Sequence, residues 1–182
     1  LLRRARRIAP RIAALKQRCR KTGVPVIYAN DNQGRWRSDF RCVTEHSLEG
    51  PGADITQHLL PDDDDYFVLK SRHSAFFATP LDLLLQQLRC RRLIVAGLAT
   101  DNCILFTAMD AYVREYKLWV PTDCTAAESD VGKATALDHM RRVLKAEVRP
   151  ACLARSPPAA SPLSSACRPG ARRSARRPRP GS

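Results

Sequence analysis

Residues 93–112 read LIVAGLATDNCILFTAMDAY, and their two halves obey different periodicities. Leu93 to Gly97 is a short, unbroken apolar run of the kind that forms a strand covered on both faces. From Ile104 the apolar and small residues Ile104, Thr107, Ala108, Ala111 and Tyr112 recur at helical spacing. Only a few residues lie between the two patterns. A buried strand feeding a helix through a short loop is the repeating unit of an α/β fold.

The same alternation runs outward in both directions. Leu1 to Lys21 carries an apolar stripe (Leu1, Leu2, Ala5, Ile8, Ala9, Ile12, Leu15, Cys19) opposite Arg and Lys, which predicts an amphipathic helix ended by Gly23. Val24 to Ala29 reads as a buried strand, residues 35–62 as loop-rich with a Gly50-Pro-Gly52 turn, and Tyr66 to Lys70 as a second strand. Pro80 opens a helix to about Gln87 or Arg89. After the helix through Tyr112, Lys117 to Val120 is a strand and Asp130 to Ala146 a last helix. The expected architecture is a doubly wound, mostly parallel sheet with helices on both faces.

The 182 residues suffice for one domain, expected over 1–150. Residues 154–182 contain six prolines and no aromatic residue, a composition that predicts a disordered tail, so 151–182 is set apart. The net charge of +13 sits at the ends: residues 1–22 carry nine basic residues and 151–182 seven, neither with an acid, whereas 23–150 carry 15 basic against 18 acidic. A nearly neutral body with no basic and aromatic stripe argues against nucleic-acid binding. No apolar run reaches the ~18 residues of a membrane span. Seven cysteines without C-x-x-C spacing or paired histidines suggest neither disulfides nor zinc, which fits a reducing, cytoplasmic setting. The expected partners are a small-molecule substrate and further copies of the chain.

In an open α/β sheet the ligand crevice lies beyond the carboxyl ends of the strands. There stand Asn30, Asp31 and Asn32, then Lys70, Arg72 and His73, then Ala99 to Cys103, then Asp123. Lys70 and Cys103 are a suggestive pair, because a helix N-terminus and a nearby ammonium both stabilise a thiolate. A cysteine after a strand can equally be packing. Asp31 reads as a pocket carboxylate or a turn residue, and His73 as an ordinary loop histidine or a proton shuttle. Trp36, Phe76 and Phe77 could wall a flat apolar pocket or sit in the core. Asp62 to Asp65 reads as a solvated turn.

Beyond these readings, PVIYANDNQGRWRSDF (25–40), FVLKSRHSAFFATPLD (67–82), LIVAGLATDNCILFTAMDAY (93–112), VPTDCTAA (120–127) and ALDHMRRVLKA (136–146) together resemble the isochorismatase-like cysteine hydrolases over roughly residues 1–150. The resemblance implies a nucleophile at Cys103, a catalytic lysine at Lys70, a cis peptide at Leu98–Ala99, and an oxyanion hole from the Ala99 and Cys103 N–H groups. It implies hydrolysis of a small amide or related acyl substrate through a thioester, since members with true isochorismatase activity do not need the cysteine.

Three departures accompany it. The metal motif Asp-x-His of nicotinamidase-type relatives is replaced by Asn30-Asp-Asn-Gln33, so neither metal nor other cofactor is expected. The family's aspartate lies on the loop after the first, central strand, upstream of where this sequence opens. The expectation is therefore an unfilled place in the sheet and impaired turnover, the alternative being an inactive member or fragment that serves as a binding or assembly module. The Arg/Pro tail has no counterpart in the family.

Overall fold

The computed structural model describes residues 1–153; the expected disordered tail, 154–182, lies outside them. Helices and parallel strands alternate as expected. Helix α1 (Leu2–Lys21) leads into β1 (Ile27–Asp31), and α2 (Phe40–Glu49) and α3 (Ala53–His58) precede β2 (Tyr66–Lys70). Then come α4 (Leu81–Gln87), β3 (Arg92–Ile94), β4 (Gly97–Leu98), α5 (Leu105–Val113), β5 (Lys117–Trp119), β6 (Thr125–Ala126) and α6 (Asp130–Arg142).

Three differences from the sequence reading have simple causes. The loop-rich segment 35–62 contains two helices: Asp39 caps the first by accepting the Cys42 N–H at 2.8 Å, and Phe40 stacks on Phe67 with ring centroids 4.7 Å apart. Those helices are too short for a periodic pattern to show. The run 93–97 is divided into β3 and β4, because its pairing passes from β5 to β6: the Val95 N–H donates to the Trp119 carbonyl and the Gly97 N–H to the Cys124 carbonyl, both at 2.9 Å. Helix α6 stops at Arg142, and Glu147 bridges in parallel to Trp119, extending the sheet beside β5.

Pairing is parallel throughout: β1 with β2, β3 with β5, and β4 with β6. Among the described residues these pairs do not join into one continuous sheet. A cavity of about 630 Å³ separates them, lined along one edge by Val26 to Asp31, along the other by Arg92 to Leu98, and roofed by Ala5, Ile8, Ile12 and Leu15 of α1.

Two apolar clusters hold the pieces. The larger joins Val68, Phe76, Leu85, Ile104, Ala108, Leu118, Val120 and Met140. In the smaller, Leu15 and Cys19 of α1 meet Trp119 and Cys124, with Val24, Val26, Ile94 and Ala96 packed around them. Burying side chains of this size contributes roughly 1.5–3 kcal/mol each, so α1 is held chiefly by its stripe.

Its basic face is also engaged. Arg4 pairs with Asp130, Arg6 with Asp54 at 2.8 Å, Lys16 with Asp65 at 2.8 Å, and Arg20 with Asp65 at 2.6 Å. Asp62 to Asp64 are exposed, as a solvated turn requires, but the Asp65 side chain is 3% exposed and anchors α1 to the turn before β2. Burial pushes the Asp65 carboxyl up, but the Asp62 N–H, Lys16 and Arg20 more than offset this and hold it below the ordinary carboxylate value.

Candidate active site

The parallel register of β1 and β2 sets Asp31 opposite Lys70 at the carboxyl ends of both strands. Two unlike charges placed there by backbone pairing need little side-chain ordering to meet. Lys70 Nζ lies 3.1 Å from Asp31 Oδ2 and donates to the Arg72 carbonyl at 3.2 Å. Its third neighbour is Cys103 Sγ at 3.5 Å. Lys70 is 4% exposed, so its ammonium has exchanged water for these partners.

Asp31 responds to the same geometry. Partial burial raises its carboxyl, yet the Gln33 N–H, the Lys70 hydrogen bond and the charges of Lys70 and His73 outweigh that and depress it. It remains an ionised partner for the lysine at neutral pH.

Cys103 is brought to Lys70 by the loop after β4. The Leu98–Ala99 peptide is cis. Residues Thr100–Ile104 then form a wide π-type turn that continues into α5, so Cys103 stands in the opening turn of a longer helical segment. The Ala99 carbonyl accepts the Asn102 and Ile104 N–H groups, both at 3.1 Å.

The wide turn is braced from behind. Thr100 and Thr125 are fully buried and share a hydroxyl hydrogen bond of 2.8 Å, tying the turn to β6. Asp101 packs so closely on the start of α6 that a Cβ at Gly132 would lie 2.5 Å from its Oδ2. Sequence reasoning did not find this threonine pair, because only the fold reveals that two ordinary threonines 25 positions apart face each other.

The remaining expected site residues fall in different places. Phe76 is 5% exposed and both lines the cavity and belongs to the larger core cluster. Trp36 and Phe77, at 79% and 57% exposed, are outside the cavity lining. Trp36 follows a left-handed turn at Gln33 and Gly34, and Phe77 directly precedes Ala78 at φ 53°. Asp123 caps the Ala151 N–H at 2.6 Å. His73 is adjacent to the thiol, its Nδ1 3.8 Å from Cys103 Sγ.

The other thiols differ in setting. Burial raises Cys19 and Cys90, and pushes Cys124 up to about 12, with the nearby Asp123 charge adding to the effect. Among the described residues no cluster of three or more His, Cys, Asp or Glu side chains could hold a metal ion, and no helix is long and apolar enough to cross a membrane.

A buried lysine thus bridges a carboxylate and a thiol beyond the carboxyl ends of parallel strands, the place where α/β folds form their ligand crevices. Comparison with known proteins gives the lineage: the Isochorismatase domain family model matches residues 2–150. The chain belongs to the isochorismatase family of hydrolases. It is 40% identical over 148 residues to an uncharacterized isochorismatase family protein of Bacillus subtilis, covering 81% of this chain and 82% of that protein. It is 35% identical over 144 residues to a probable inactive nicotinamidase of Arabidopsis thaliana, covering 72% and 74%. Among solved structures, N-carbamoylsarcosine amidase from Thermoplasma acidophilum superposes with a TM-score of 0.65 at 28% identity, covering 81% of this chain and 84% of that one.

Proposed function

We propose that the chain is a cysteine-dependent amidohydrolase acting on a small amide or related acyl substrate. The observation that carries this reading is the bridging position of Lys70 Nζ, 3.1 Å from Asp31 Oδ2 and 3.5 Å from Cys103 Sγ. The ammonium stabilises a thiolate, and Asp31 holds the ammonium in place. The Cys103 sulfur attacks the substrate carbonyl carbon. The resulting oxyanion is taken by the Ala99 and Cys103 N–H groups. Collapse of the tetrahedral species expels the amine and leaves a thioester, which water hydrolyses to the acid and free thiol.

The relatives support an amide substrate: one solved structure of similar fold is an N-carbamoylsarcosine amidase. The cavity bears on how active residues 1–182 are by themselves. An apolar strand ending in Asp, seated between β1 and β3, would bring a second carboxylate toward Lys70, and turnover is expected to be weak without one. The second reading, an inactive member that binds without turnover, is favoured by the similarity to the probable inactive nicotinamidase. A homo-oligomer in the cytoplasm completes the reading, with Phe106, Met109 and Val113 exposed along one face of α5 as the apolar surface available to a second copy.

The test is a screen of small amides, nicotinamide and N-carbamoylsarcosine included, with the wild type, Cys103→Ser and Lys70→Ala. Turnover should vanish in Cys103→Ser and fall by about 10² or more in Lys70→Ala. Turnover that persists in Cys103→Ser would overturn the assignment, and binding without turnover by the wild type would favour the second reading.

A further inference from the structure

The loop after β2 gives the proposed chemistry only the Arg72 carbonyl that accepts from Lys70, and its residues from His73 onward have no role in it. It is firmly held. The Ala75 N–H donates to Thr107 Oγ1 on α5 at 3.0 Å, the Phe76 N–H donates to Ser74 Oγ at 3.1 Å, and Thr79 Oγ1 donates to the Ala75 carbonyl at 2.5 Å. The consequence is a fixed position for His73, whose ring lies against Phe106 with centroids 5.3 Å apart and an interplanar angle of 41°. In that position Nδ1 is 3.8 Å from Cys103 Sγ, within the range of a hydrogen bond to sulfur.

We propose that His73 is a further catalytic residue of this site, the group that carries the proton between the Cys103 thiol, the leaving amine and the hydrolytic water. The inference rests on the reading of Cys103 as nucleophile. Lys70 is buried and committed to Asp31 and the Arg72 carbonyl, so its ammonium acts as a fixed charge. His73 is exposed and touches only sulfur and an aromatic face, so its imidazole is free to exchange protons with solvent.

The steps balance. As the S–C bond forms, the thiol proton passes from Sγ to Nδ1. As the C–N bond breaks, the imidazolium returns that proton to the departing nitrogen. In the second half, imidazole takes a proton from water as the O–C bond forms, and delivers it to sulfur as the S–C bond breaks. The net change is amide plus water to acid plus amine, with enzyme unaltered.

The charged and titratable groups around this pair are Asp31 at the end of β1, Lys70 at the end of β2, Arg72 on the loop itself, and Cys103 on the wide turn. Of these, Asp31 and Cys103 both feel the His73 charge, so His73→Gln and His73→Phe, neither of which carries one, are compared with each other as well as with the wild type.

The experiment needs no substrate. The rate of Cys103 alkylation by iodoacetamide, resolved by peptide mass mapping, is followed from about pH 5 to about pH 9 in the wild type, His73→Gln and His73→Phe, a span that brackets the ordinary histidine pKa of about 6.5. Exposed Cys42 and Cys152 serve as internal controls. The wild type should keep a reactive limb through the pH range in which imidazole ionises, and both variants should lose it, with a fall of about ten-fold near pH 6.

Loss of that limb in both variants, with Cys42 and Cys152 labelled as in the wild type, supports the proposal. An alkylation profile of Cys103 identical in wild type and variants overturns it. Failure of the proposed function has a different signature, turnover that survives Cys103→Ser, so the two can be told apart.

Discussion

Removing one hydroxyl from the pair behind the nucleophile should cost more than removing both. Thr100 and Thr125 are 0% exposed, and each hydroxyl has the other as its side-chain partner at 2.8 Å. Thr100→Val preserves the shape but leaves the Thr125 hydroxyl buried and unpaired, a loss of about 1–3 kcal/mol. Thr125→Val should cost about the same for the same reason. The double variant has no stranded group, so its cost should be within about 1 kcal/mol of the wild type, far below the sum of the singles. For a domain of this size 1 kcal/mol moves the melting midpoint by roughly 2–4 °C, so the singles should melt about 2–12 °C lower. Urea unfolding of all four proteins gives the coupling directly, provided the slope with denaturant is common to them. A double variant as unstable as the two singles added together would refute the reasoning and show that each hydroxyl is satisfied elsewhere. A second reading comes free: in the double variant Cys103 alkylation should match the wild type, since the wide turn keeps its backbone bonds.

Three other outcomes follow from the same structure. With limiting iodoacetamide at neutral pH, Cys103 should be labelled well before Cys19, Cys90 and Cys124, whose thiols are raised by burial; earlier labelling of any of these in peptide maps would remove the basis for the nucleophile. The Asp65 carboxyl is depressed in the folded state, so it contributes stability above its unfolded value of about 4 and loses it as pH falls through the folded value. Asp65→Asn should lower the urea midpoint at neutral pH and flatten its decline in acid, and an unchanged acid limb would count against the anchor. Dialysis against a chelator should leave any amidase activity unchanged, and restoration of lost activity by zinc or manganese would contradict that.

How far the sequence could be read depended on the length over which a pattern ran. The stripe of α1 spans many turns, and 93–112 changes period once and sharply, so both were legible. Helices α2 and α3 were not, since a helix of one to three turns shows too few repeats and is fixed by tertiary contacts such as Phe40 on Phe67. Lys70 and Cys103 were legible as strand-end residues, and the structure sets them 3.5 Å apart. The place of His73 was not, because three residues beyond a strand its direction depends on the hydrogen bonds that pin Ala75 to Thr107. Asp65 was misjudged because an acidic run looks solvated unless its partners are known, and those partners lie 45 and 49 positions away on α1.

The site draws its groups from opposite sides of a divided sheet. Asp31 and Lys70 are fixed to each other by the β1–β2 register, whereas Cys103 follows β4, which pairs with β6. No strand hydrogen bond among the described residues crosses the cavity between β1 and β3. The distance from Lys70 to Cys103 therefore depends on what spans that cavity. One bridge is the loop from Lys70 to Thr79, sewn to α5 at Thr107. The other is α1, whose Leu15 and Cys19 pack with Val24 and Val26 beside β1 and with Ile94, Trp119 and Cys124 on the far side. A contact set of this kind resists sliding less well than a ladder of backbone hydrogen bonds, because dispersion is only weakly directional. The ion pairs of Lys16 and Arg20 with Asp65 add that direction, holding α1 in register against the entry to β2. In this way α1, which supplies none of the reacting groups, sets the spacing on which the thiol and the ammonium depend.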